Sequence, residues 1–337
     1  MKALEAKAFF ELSSKHPVID VRTPAEFERG HIPGANNIPL FSNEERAEIG
    51  TIYKKDGKRA AVSRGMELVT PKFTDFVKAA EALGSDKTLL VNCWRGGMRS
   101  ASMAWLFELY GYKVFTLAGG YKSFRRLVLN TFAAPVKLNV LGGKTGSGKT
   151  LILHELGKSG ETILDLEAIA CHKGSAFGSL GEKTQPTQEM FENLVATQLL
   201  TIPADSVIWI EDESQNVGKR VIPNSFFAQM RAAKVYCIDL PLEKRIEYLT
   251  TEYGKYSKEE LLASIDKIWK RLGPQHAKAA KEAIELGDLK RACEISLVYY
   301  DKSYNHGIAK RDPSTIITKS FTELNPEAIA QAILENN

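Results

Sequence analysis

The chain has 337 residues, of which 44% are hydrophobic and 26% charged, a balance typical of globular domains and not of disordered or fibrous chains. Its formal net charge of +4 permits a polyanionic partner without identifying one. The sequence contains no apolar run of about 18 residues, the length that a membrane helix needs, and its four cysteines are scattered without a Cys-x-x-Cys pair. We therefore expect a cytoplasmic chain with no membrane span, disulfide framework or zinc cluster, and with room for two domains.

The first part of the chain alternates between apolar strands and helical patterns. Strands are predicted at residues 18–21, 88–92 and 114–117. Helices are predicted at residues 1–14 and 99–110, and a further helix begins at Pro24 with Thr23 as its cap. This alternation predicts a parallel sheet whose functional loops follow the carboxyl ends of the strands.

A break near Pro135 divides the chain into two predicted α/β domains, at residues 1–132 and 136–337. In the second domain, strands are predicted at residues 136–141, 162–166, 206–210 and 234–240. Residues 253–311 are predicted to be mostly helical, and they carry 12 Lys and Arg against 8 Asp and Glu. The second domain is therefore expected to end in a basic helical region.

The segment Cys-Trp-Arg-Gly-Gly-Met-Arg-Ser, which begins at Cys93, has the features of a nucleophile in an anion-binding loop. A thiol attacks as the thiolate, which nearby positive potential stabilises. Gly96 and Gly97 allow backbone N–H groups to turn inward at the start of a helix, and Arg95 and Arg99 add full charges. The alternative is a buried structural cysteine.

A second loop fits the phosphate-binding pattern G-x-x-x-x-G-K-[ST], the P-loop. Its eight residues are Gly143, Lys144, Thr145, Gly146, Ser147, Gly148, Lys149 and Thr150. The glycines let backbone N–H groups point at phosphate oxygens, Lys149 supplies positive charge, and Thr150 supplies a hydroxyl for a metal ion. The pattern predicts a phosphate site without identifying the molecule that carries the phosphate.

Polar residues after the later strands are predicted to form the wall of this site. They are Asp165, Glu167, His172, Ser175, Glu211 and Glu213. Glu211 and Thr150 are predicted to hold Mg²⁺. Solvated strand ends and an ordinary surface loop are the alternative interpretation.

The first domain resembles a rhodanese domain, the fold that carries sulfur or selenium on a cysteine. The resemblance rests on Val-Ile-Asp-Val-Arg at 18–22, Glu26-Phe27, Gly-His-Ile-Pro-Gly-Ala at 30–35, Cys93 and Gly-Gly-Tyr at 119–121. Five residues separate Cys93 from Arg99, a longer loop that is similar to the loop of rhodanese-like cell-cycle phosphatases. A protein phosphatase remains a rival interpretation, although no general acid is identified.

The order of the two loops and of the later motifs resembles the tRNA 2-selenouridine synthase family. The later motifs are Asp-Leu-Glu at 165–167, His-Lys-Gly-Ser-Ala-Phe-Gly at 172–178, Ile-Glu-Asp-Glu-Ser at 210–214 and Tyr-Tyr-Asp at 299–301. The resemblance implies action on tRNA that carries wobble 2-thiouridine. Geranyl diphosphate would geranylate the sulfur, and selenophosphate would then supply the selenium that replaces the geranylthio group. Both are implied as co-substrates, with no tightly bound cofactor.

Under this resemblance the catalytic residues are Cys93, Arg95, Arg99 and Lys149. Lys149 would stabilise the departing diphosphate, and Cys93 would either carry selenium or assist removal of the old group. Two alternatives remain. One is a P-loop kinase or NTPase with a rhodanese or phosphatase-like accessory domain, and the other is a non-catalytic sulfur relay or RNA-binding module.

A tRNA substrate is held mainly through its phosphates, by Lys and Arg. The predicted contacts are Arg125, Arg126, Lys270, Arg271, Lys278 and Lys281. For each of these residues alone, a solvated helix face is the alternative.

Overall fold

The structure is a computed structural model that describes residues 2–84 and 87–335. The chain forms two compact units. The first extends to Thr131 and includes Glu192–Thr197, and the second contains Phe132–Phe191 and the chain from Gln198 onward. The predicted α/β class with parallel sheets and a helical C-terminal region is confirmed. Within the described ranges, no helix is both long enough and apolar enough to cross a membrane.

The first unit contains a five-stranded parallel sheet in the order β1-β5-β4-β2-β3. Its strands are β1 (Lys2–Leu4), β2 (Val18–Asp20), β3 (Asn36–Asn37), β4 (Thr88–Asn92) and β5 (Lys113–Leu117). Its helices are α1 (Ala6–Ser13), α2 (Pro24–Arg29), α3 (Asn43–Lys55), α4 (Gly57–Val69), α5 (Phe73–Glu81), α6 (Met98–Leu109) and α7 (Tyr121–Ala133), with a 3-10 turn at Thr70–Lys72. Leu89, Leu90 and Val91 of β4 are fully buried, because both faces of a parallel sheet are covered.

One helix of this unit begins where its capping residues predict, whereas the first turn of another predicted helix is a strand. The helix predicted after Thr23 is confirmed: the Thr23 hydroxyl accepts from the Glu26 N–H, and the Glu26 carboxylate accepts from the Thr23 N–H. The single helix predicted at residues 1–14 is wrong over its first turn, because Lys2–Leu4 pairs with β5 as an edge strand. Met1 lies outside the described residues. The helix pair α3 and α4 was not predicted.

The second unit contains a parallel sheet in the order β12-β11-β6-β8-β7 and a small antiparallel pair, β9 with β10. Its strands are β6 (Lys137–Gly143), β7 (Thr162–Leu164), β8 (Val207–Glu211), β9 (Asn216–Val217), β10 (Arg220–Val221), β11 (Lys234–Asp239) and β12 (Ile316–Ser320). Its helices are α8 (Lys149–Lys158), α9 (Leu166–Ala170), α11 (Asn224–Ala232), α12 (Leu242–Tyr253), α13 (Lys258–Leu272), α14 (Pro274–Glu285), α15 (Leu289–Ile308) and α16 (Pro326–Leu334). The helix α10 (Gln188–Thr201) belongs to both units, because its middle residues, Glu192–Thr197, are part of the first. A 3-10 turn lies at Pro313–Thr315.

The strand order places the P-loop at a topological switch point. The chain leaves β6 toward β7 and β8 on one side and later returns to β11 on the other. Crevices at such points, outside the carboxyl ends of the strands, are where open parallel sheets bind ligands. The four predicted strands of this unit are confirmed, whereas β12 and α16 were not predicted.

The basic helical region forms a three-helix layer with its own core. The buried residues include Leu261 and Ile265 of α13, Ala280 and Ile284 of α14, and Ile295 of α15. Small alanines on α14 allow the neighbouring helices to pack closely. This layer lies in the second unit, where α12 and α15 pack against each other.

Candidate functional site

The sulfur of Cys93 lies at the carboxyl end of β4, and Cys93 is only 3% exposed. Its Sγ is 3.1 Å from the Ser100 hydroxyl oxygen in the first turn of α6. The Cys93 carbonyl accepts from the Tyr121 N–H at 2.8 Å. A Cβ on Gly120, which has φ +63°, would lie 2.3 Å from that same carbonyl oxygen. The Gly-Gly-Tyr turn therefore supports the cysteine loop through an approach that only glycine permits.

The two arginines of this loop have different surroundings. Arg99 donates to Glu26, with Nη1 2.6 Å and Nη2 3.2 Å from the two carboxylate oxygens. Burial raises the pKa of Glu26, but the hydrogen bond and charge of Arg99 outweigh it, so the pKa is lowered overall. Arg95 is exposed. The positive charge of Arg99 is therefore shared with a carboxylate from α2, and sequence reasoning did not expect this pair.

A buried ion pair supports the strand beside the cysteine loop. Arg22 and Asp20 are at most 1% exposed, and Arg22 Nη2 lies 2.7 Å from Asp20 Oδ2. The Arg22 guanidinium also lies 3.8 Å from the centroid of the Tyr121 ring. These contacts explain two features of the rhodanese resemblance, the Asp-Val-Arg segment and the tyrosine of the Gly-Gly-Tyr turn.

The P-loop joins β6 to α8 through glycines in left-handed conformations. Gly146 and Gly148 have φ values of +85° and +71°, and a Cβ on Gly148 would lie 2.6 Å from Leu324. Lys149 Nζ donates to the Gly143 carbonyl at 3.1 Å. The hydroxyl of Ser147 is buried and has no hydrogen-bond partner among the described residues. The loop therefore has the conformation that the motif predicts, including an ammonium group that can turn toward a phosphate.

A buried arginine connects the P-loop to the helical region. Arg245 of α12 is 3% exposed, and its Nη1 donates to the Thr145 carbonyl at 3.1 Å. The same guanidinium pairs with both carboxylate oxygens of Asp301 on α15, at 2.8 and 2.7 Å. Such a bidentate pair fixes orientation as well as distance. Asp301 of the Tyr-Tyr-Asp motif therefore positions the P-loop indirectly.

Three carboxylates converge beside the P-loop. One oxygen from each of Glu167, Glu211 and Glu213 lies within 4.8 Å of the other two, and Thr150 donates to Glu167 at 3.2 Å. Burial and then the charge of Glu213 raise the pKa of Glu167 to about 8. Burial and mutual repulsion also raise the pKa values of Glu211 and Glu213. The sequence predicted Glu211 and Thr150 as ligands of a metal ion, and the structure places the carboxylates of Glu167 and Glu213 beside Glu211.

A cavity of ≈ 1240 Å³, here called the main cavity, opens over the P-loop. The P-loop residues that line it are Gly143, Thr145, Gly146, Gly148, Lys149 and Thr150, whereas Lys144 and Ser147 do not. The carboxylate cluster, His172 and Ser175 also line it. Exposed cationic side chains complete its wall at Lys183, Lys219, Lys267 and Arg271. The main cavity thus combines a buried acidic cluster with a cationic wall suited to anions.

Asp165 and His172 have roles that differ from each other. Asp165 caps α9 by accepting from the Ala168 N–H at 2.8 Å, pairs with His154 at 2.8 Å, and does not line the main cavity. As a helix cap it still acts on the carboxylate cluster, because, in addition to burial, its charge helps to raise the pKa of Glu167. Its place in the site wall stays a prediction. His172 does line the cavity, and burial, followed by the charge of Lys267, lowers its pKa.

The predicted RNA contacts divide into free and paired cations. Lys270 and Arg271 are exposed and form no ion pair within the described part of the chain. Lys278 lies 3.9 Å from Glu282, and Lys281 lies 3.0 Å from Asp266. Arg125 is bonded to Glu192 and Asn193 and is mostly buried, whereas Arg126 is exposed. The sequence analysis did not predict Lys183, Lys219 and Lys267. These residues are far apart in the sequence, and only the folded chain brings them together on the wall of the main cavity.

These features define a two-unit α/β protein in which a rhodanese-like cysteine loop is followed by a P-loop with a carboxylate cluster. The model of the tRNA 2-selenouridine synthase AAA domain matches residues 136–333, and that of the rhodanese-like domain matches residues 3–127. The chain belongs to the tRNA 2-selenouridine synthase family, which confirms the resemblance.

Two relatives that are similar to most of this chain bear the family's name. The tRNA 2-selenouridine synthase of Psychromonas ingrahamii is 33% identical over 344 residues, which cover 92% of this chain and 93% of that protein. The one from Nitrosomonas europaea is 38% identical over 246 residues, which cover 70% of this chain and 63% of the relative. Among solved structures, a rhodanese-related protein from Thermoplasma volcanium is 21% identical and covers 37% of this chain and 92% of its own, with a TM-score of 0.25.

Proposed function

We propose that this chain is a cytoplasmic tRNA-modifying transferase that converts wobble 2-thiouridine to 2-selenouridine through S-geranyl-2-thiouridine. Geranyl diphosphate and selenophosphate are the co-substrates. Membership of a family whose relatives are named tRNA 2-selenouridine synthase supports the tRNA modification. The observation that carries the chemistry is a P-loop open to a cavity of ≈ 1240 Å³ with a cationic wall, which has room for a diphosphate and an extruded nucleotide together.

In the geranylation step, the tRNA sulfur attacks the allylic carbon while the bond from that carbon to the diphosphate oxygen breaks. Negative charge builds on the departing diphosphate, and the P-loop N–H groups and Lys149 stabilise that charge more strongly than they stabilise the bound donor. Lys149 begins α8, so the positive end of this helix adds to the effect. The P-loop then serves a leaving group and does not need to hydrolyse a nucleotide.

The residues beside the P-loop also fit a Mg²⁺ ion. Mg²⁺ prefers hard oxygen ligands, and Glu211 Oε1 is buried without a hydrogen-bond partner among the described residues. Thr150, Glu167, Glu211 and Glu213 would hold the ion. When bound, it would neutralise charge on the diphosphate.

The selenium step is assigned to Cys93 in the first unit. Its sulfur is shielded from solvent and lies 3.1 Å from the Ser100 hydroxyl oxygen, in the first turn of α6, whose positive end favours a thiolate. We propose that this thiol assists removal of the geranylthio group. Its sulfur attacks C2 of the geranylated base and geranylthiol leaves; the selenium of selenophosphate then displaces the cysteine sulfur from C2, and water takes the phosphoryl group as phosphate. The predicted catalytic arginines act here by charge, with Arg95 exposed and Arg99 paired with Glu26.

Mass analysis of nucleosides tests the whole proposal. Thiolated tRNA incubated with the protein and geranyl diphosphate should yield S-geranyl-2-thiouridine, and later addition of selenophosphate should yield 2-selenouridine. Nucleotide hydrolysis that needs no tRNA, with neither nucleoside formed, would instead support the kinase or NTPase alternative.

Reversing the free cations of α13 should weaken tRNA binding. The Lys270→Glu/Arg271→Glu variant removes two phosphate contacts, so we expect the slope of log affinity against log salt to fall in magnitude by about 1.5. The matched control is Lys278→Glu/Lys281→Glu, which makes the same charge change at cations already paired with acids. Affinities are measured by filter binding across a salt series. Equal losses in the two variants would contradict the assignment of α13.

Mg²⁺ should stabilise the second unit through the carboxylate cluster. The folded-state pKa of Glu167, about 8, exceeds its usual 4.5, so the folded chain holds a proton that the unfolded chain releases. Stability without a cation should therefore fall as the pH rises from about 5 to about 8. About 5 mM Mg²⁺ should then raise the melting temperature by about 2–6 °C at alkaline pH and by less at acidic pH.

Calorimetry of two glutamine variants checks this prediction. Glu211→Gln should lose the Mg²⁺ response, whereas Glu247→Gln, which changes an exposed carboxylate on α12, should keep it. An equal response in both variants would place the ion elsewhere.

A further inference from the structure

A second, apolar cavity lies beside the P-loop in the same unit. It is lined by residues of α12, α13, α14 and α15, among them Leu261, Ile265, Ile284, Leu289, Ala292 and Leu297. Hydroxyl-bearing residues, among them Thr250 and Ser296, also line it, but its exposed surface is formed by apolar atoms. On the measure that gives ≈ 1240 Å³ for the main cavity, the apolar cavity has ≈ 40 Å³. It is therefore a narrow slot.

The apolar cavity and the main cavity share a wall. Five residues line both: Thr145, Ser175, Leu249, Tyr253 and Tyr300. Thr145 belongs to the P-loop itself, and Leu249 packs on it, since a Cβ on Gly146 would lie 2.9 Å from Leu249 Cδ1. The slot therefore begins next to the phosphate-binding backbone.

We propose that the apolar cavity binds the hydrocarbon chain of the allylic diphosphate whose diphosphate group lies in the P-loop. The identity of this donor rests on the proposed function, whereas the location of its chain is inferred from the cavity. A nucleoside would bury more base and ribose polar groups than the few hydroxyls around this slot can satisfy, which is unfavourable. A chain of isoprene units makes no such demand. Because ten carbons need more room than ≈ 40 Å³, the Leu and Ile side chains that line the slot must move apart as the chain enters.

The length of the chain should then determine affinity. Each buried carbon contributes about fourfold in binding, so the five additional carbons of geranyl diphosphate should tighten its binding over that of dimethylallyl diphosphate by about 10³-fold if all are buried, and by at least about 30-fold if half of them are. Inorganic diphosphate, which reaches only the P-loop, should bind no more tightly than dimethylallyl diphosphate. These affinities are measured by titration calorimetry on the full chain without tRNA.

Two variants change the slot in opposite directions. Ala292→Phe fills it and should weaken geranyl diphosphate binding by at least about tenfold, while inorganic diphosphate binding changes by less than about twofold. Ile284→Ala lengthens or widens it and should shift the preference from geranyl toward farnesyl diphosphate. The control is Ala263→Phe, the same substitution at an exposed position of α13 that lines neither cavity.

The outcomes separate this inference from the proposed function. Equal binding of geranyl and inorganic diphosphate by the unmodified protein, or normal geranyl diphosphate binding by folded Ala292→Phe, would overturn the chain site and leave the P-loop assignment intact. If Ala292→Phe does not fold, an unchanged chain-length preference in Ile284→Ala overturns it. If the unmodified protein binds neither geranyl diphosphate nor inorganic diphosphate, or if Lys149→Ala binds both as tightly as the unmodified protein does, the proposed function itself fails, and this inference fails with it.

Discussion

Replacing Cys93 by alanine should stop the formation of 2-selenouridine while S-geranyl-2-thiouridine continues to form. The sulfur belongs to the first unit, and the P-loop belongs to the second, so the substitution leaves the diphosphate site unchanged. Loss of a nucleophile should lower selenium incorporation by at least about 10³-fold. Nucleoside mass analysis with both co-substrates should therefore show the geranylated nucleoside accumulating.

Cys237→Ala is the matched control for this variant. Cys237 is also a buried cysteine, at 8% exposure, but it lies within β11 among core residues. This control should retain both steps. If geranylation fails as completely as selenium incorporation in a folded Cys93→Ala protein, the assignment of the two steps to the two units is wrong.

Replacing Lys149 by alanine should slow the geranylation step and leave the selenium step intact. Loss of its ammonium removes charge stabilisation of the departing diphosphate, so geranylation should slow by about 10²–10³-fold. A tRNA that is already geranylated should still be converted to 2-selenouridine, since that step uses Cys93. Single-turnover rates of geranyl transfer measure the effect.

Lys158→Ala controls for the loss of a lysine from the same helix. Lys158 lies in the last turn of α8 and pairs with Glu155 at 2.7 Å, and it does not line the main cavity. Normal geranylation by Lys149→Ala would remove the P-loop from the mechanism.

The features that sequence predicted best depend on neighbouring residues. The P-loop conformation follows from glycines that adopt positive φ between a strand and a helix. The cap at Thr23 needs only Glu26, three residues later. The buried strand β4 is visible as an apolar run because both faces of a parallel sheet are covered. In each case the interaction that determines the conformation involves residues close together in the sequence, so the sequence pattern is enough to predict it.

The carboxylate cluster is an example of a feature that local sequence patterns do not predict. Glu167 follows the edge strand β7, whereas Glu211 is the last residue of β8 and Glu213 follows it. They meet because β7 pairs with β8 and β8 pairs with β6. The sequence predicted a parallel sheet but not the order of its strands. Asp165 lies two residues from Glu167 yet caps α9 outside the main cavity. Side chains two residues apart in a helical turn point in different directions.

By itself the sequence determined the fold class, the positions of the cysteine loop and the P-loop, and the family, because local backbone preferences and short motifs carry that information. Only the tertiary structure decided which charges are already paired. Arg99 meets Glu26 across 73 residues, and Arg245 meets Asp301 across 56. It also decided that Lys2–Leu4 is a strand and that four helices enclose an apolar slot next to Thr145. Pairing and burial of this kind depend on which distant segments become neighbours, and their free energy arises only when the chain has folded.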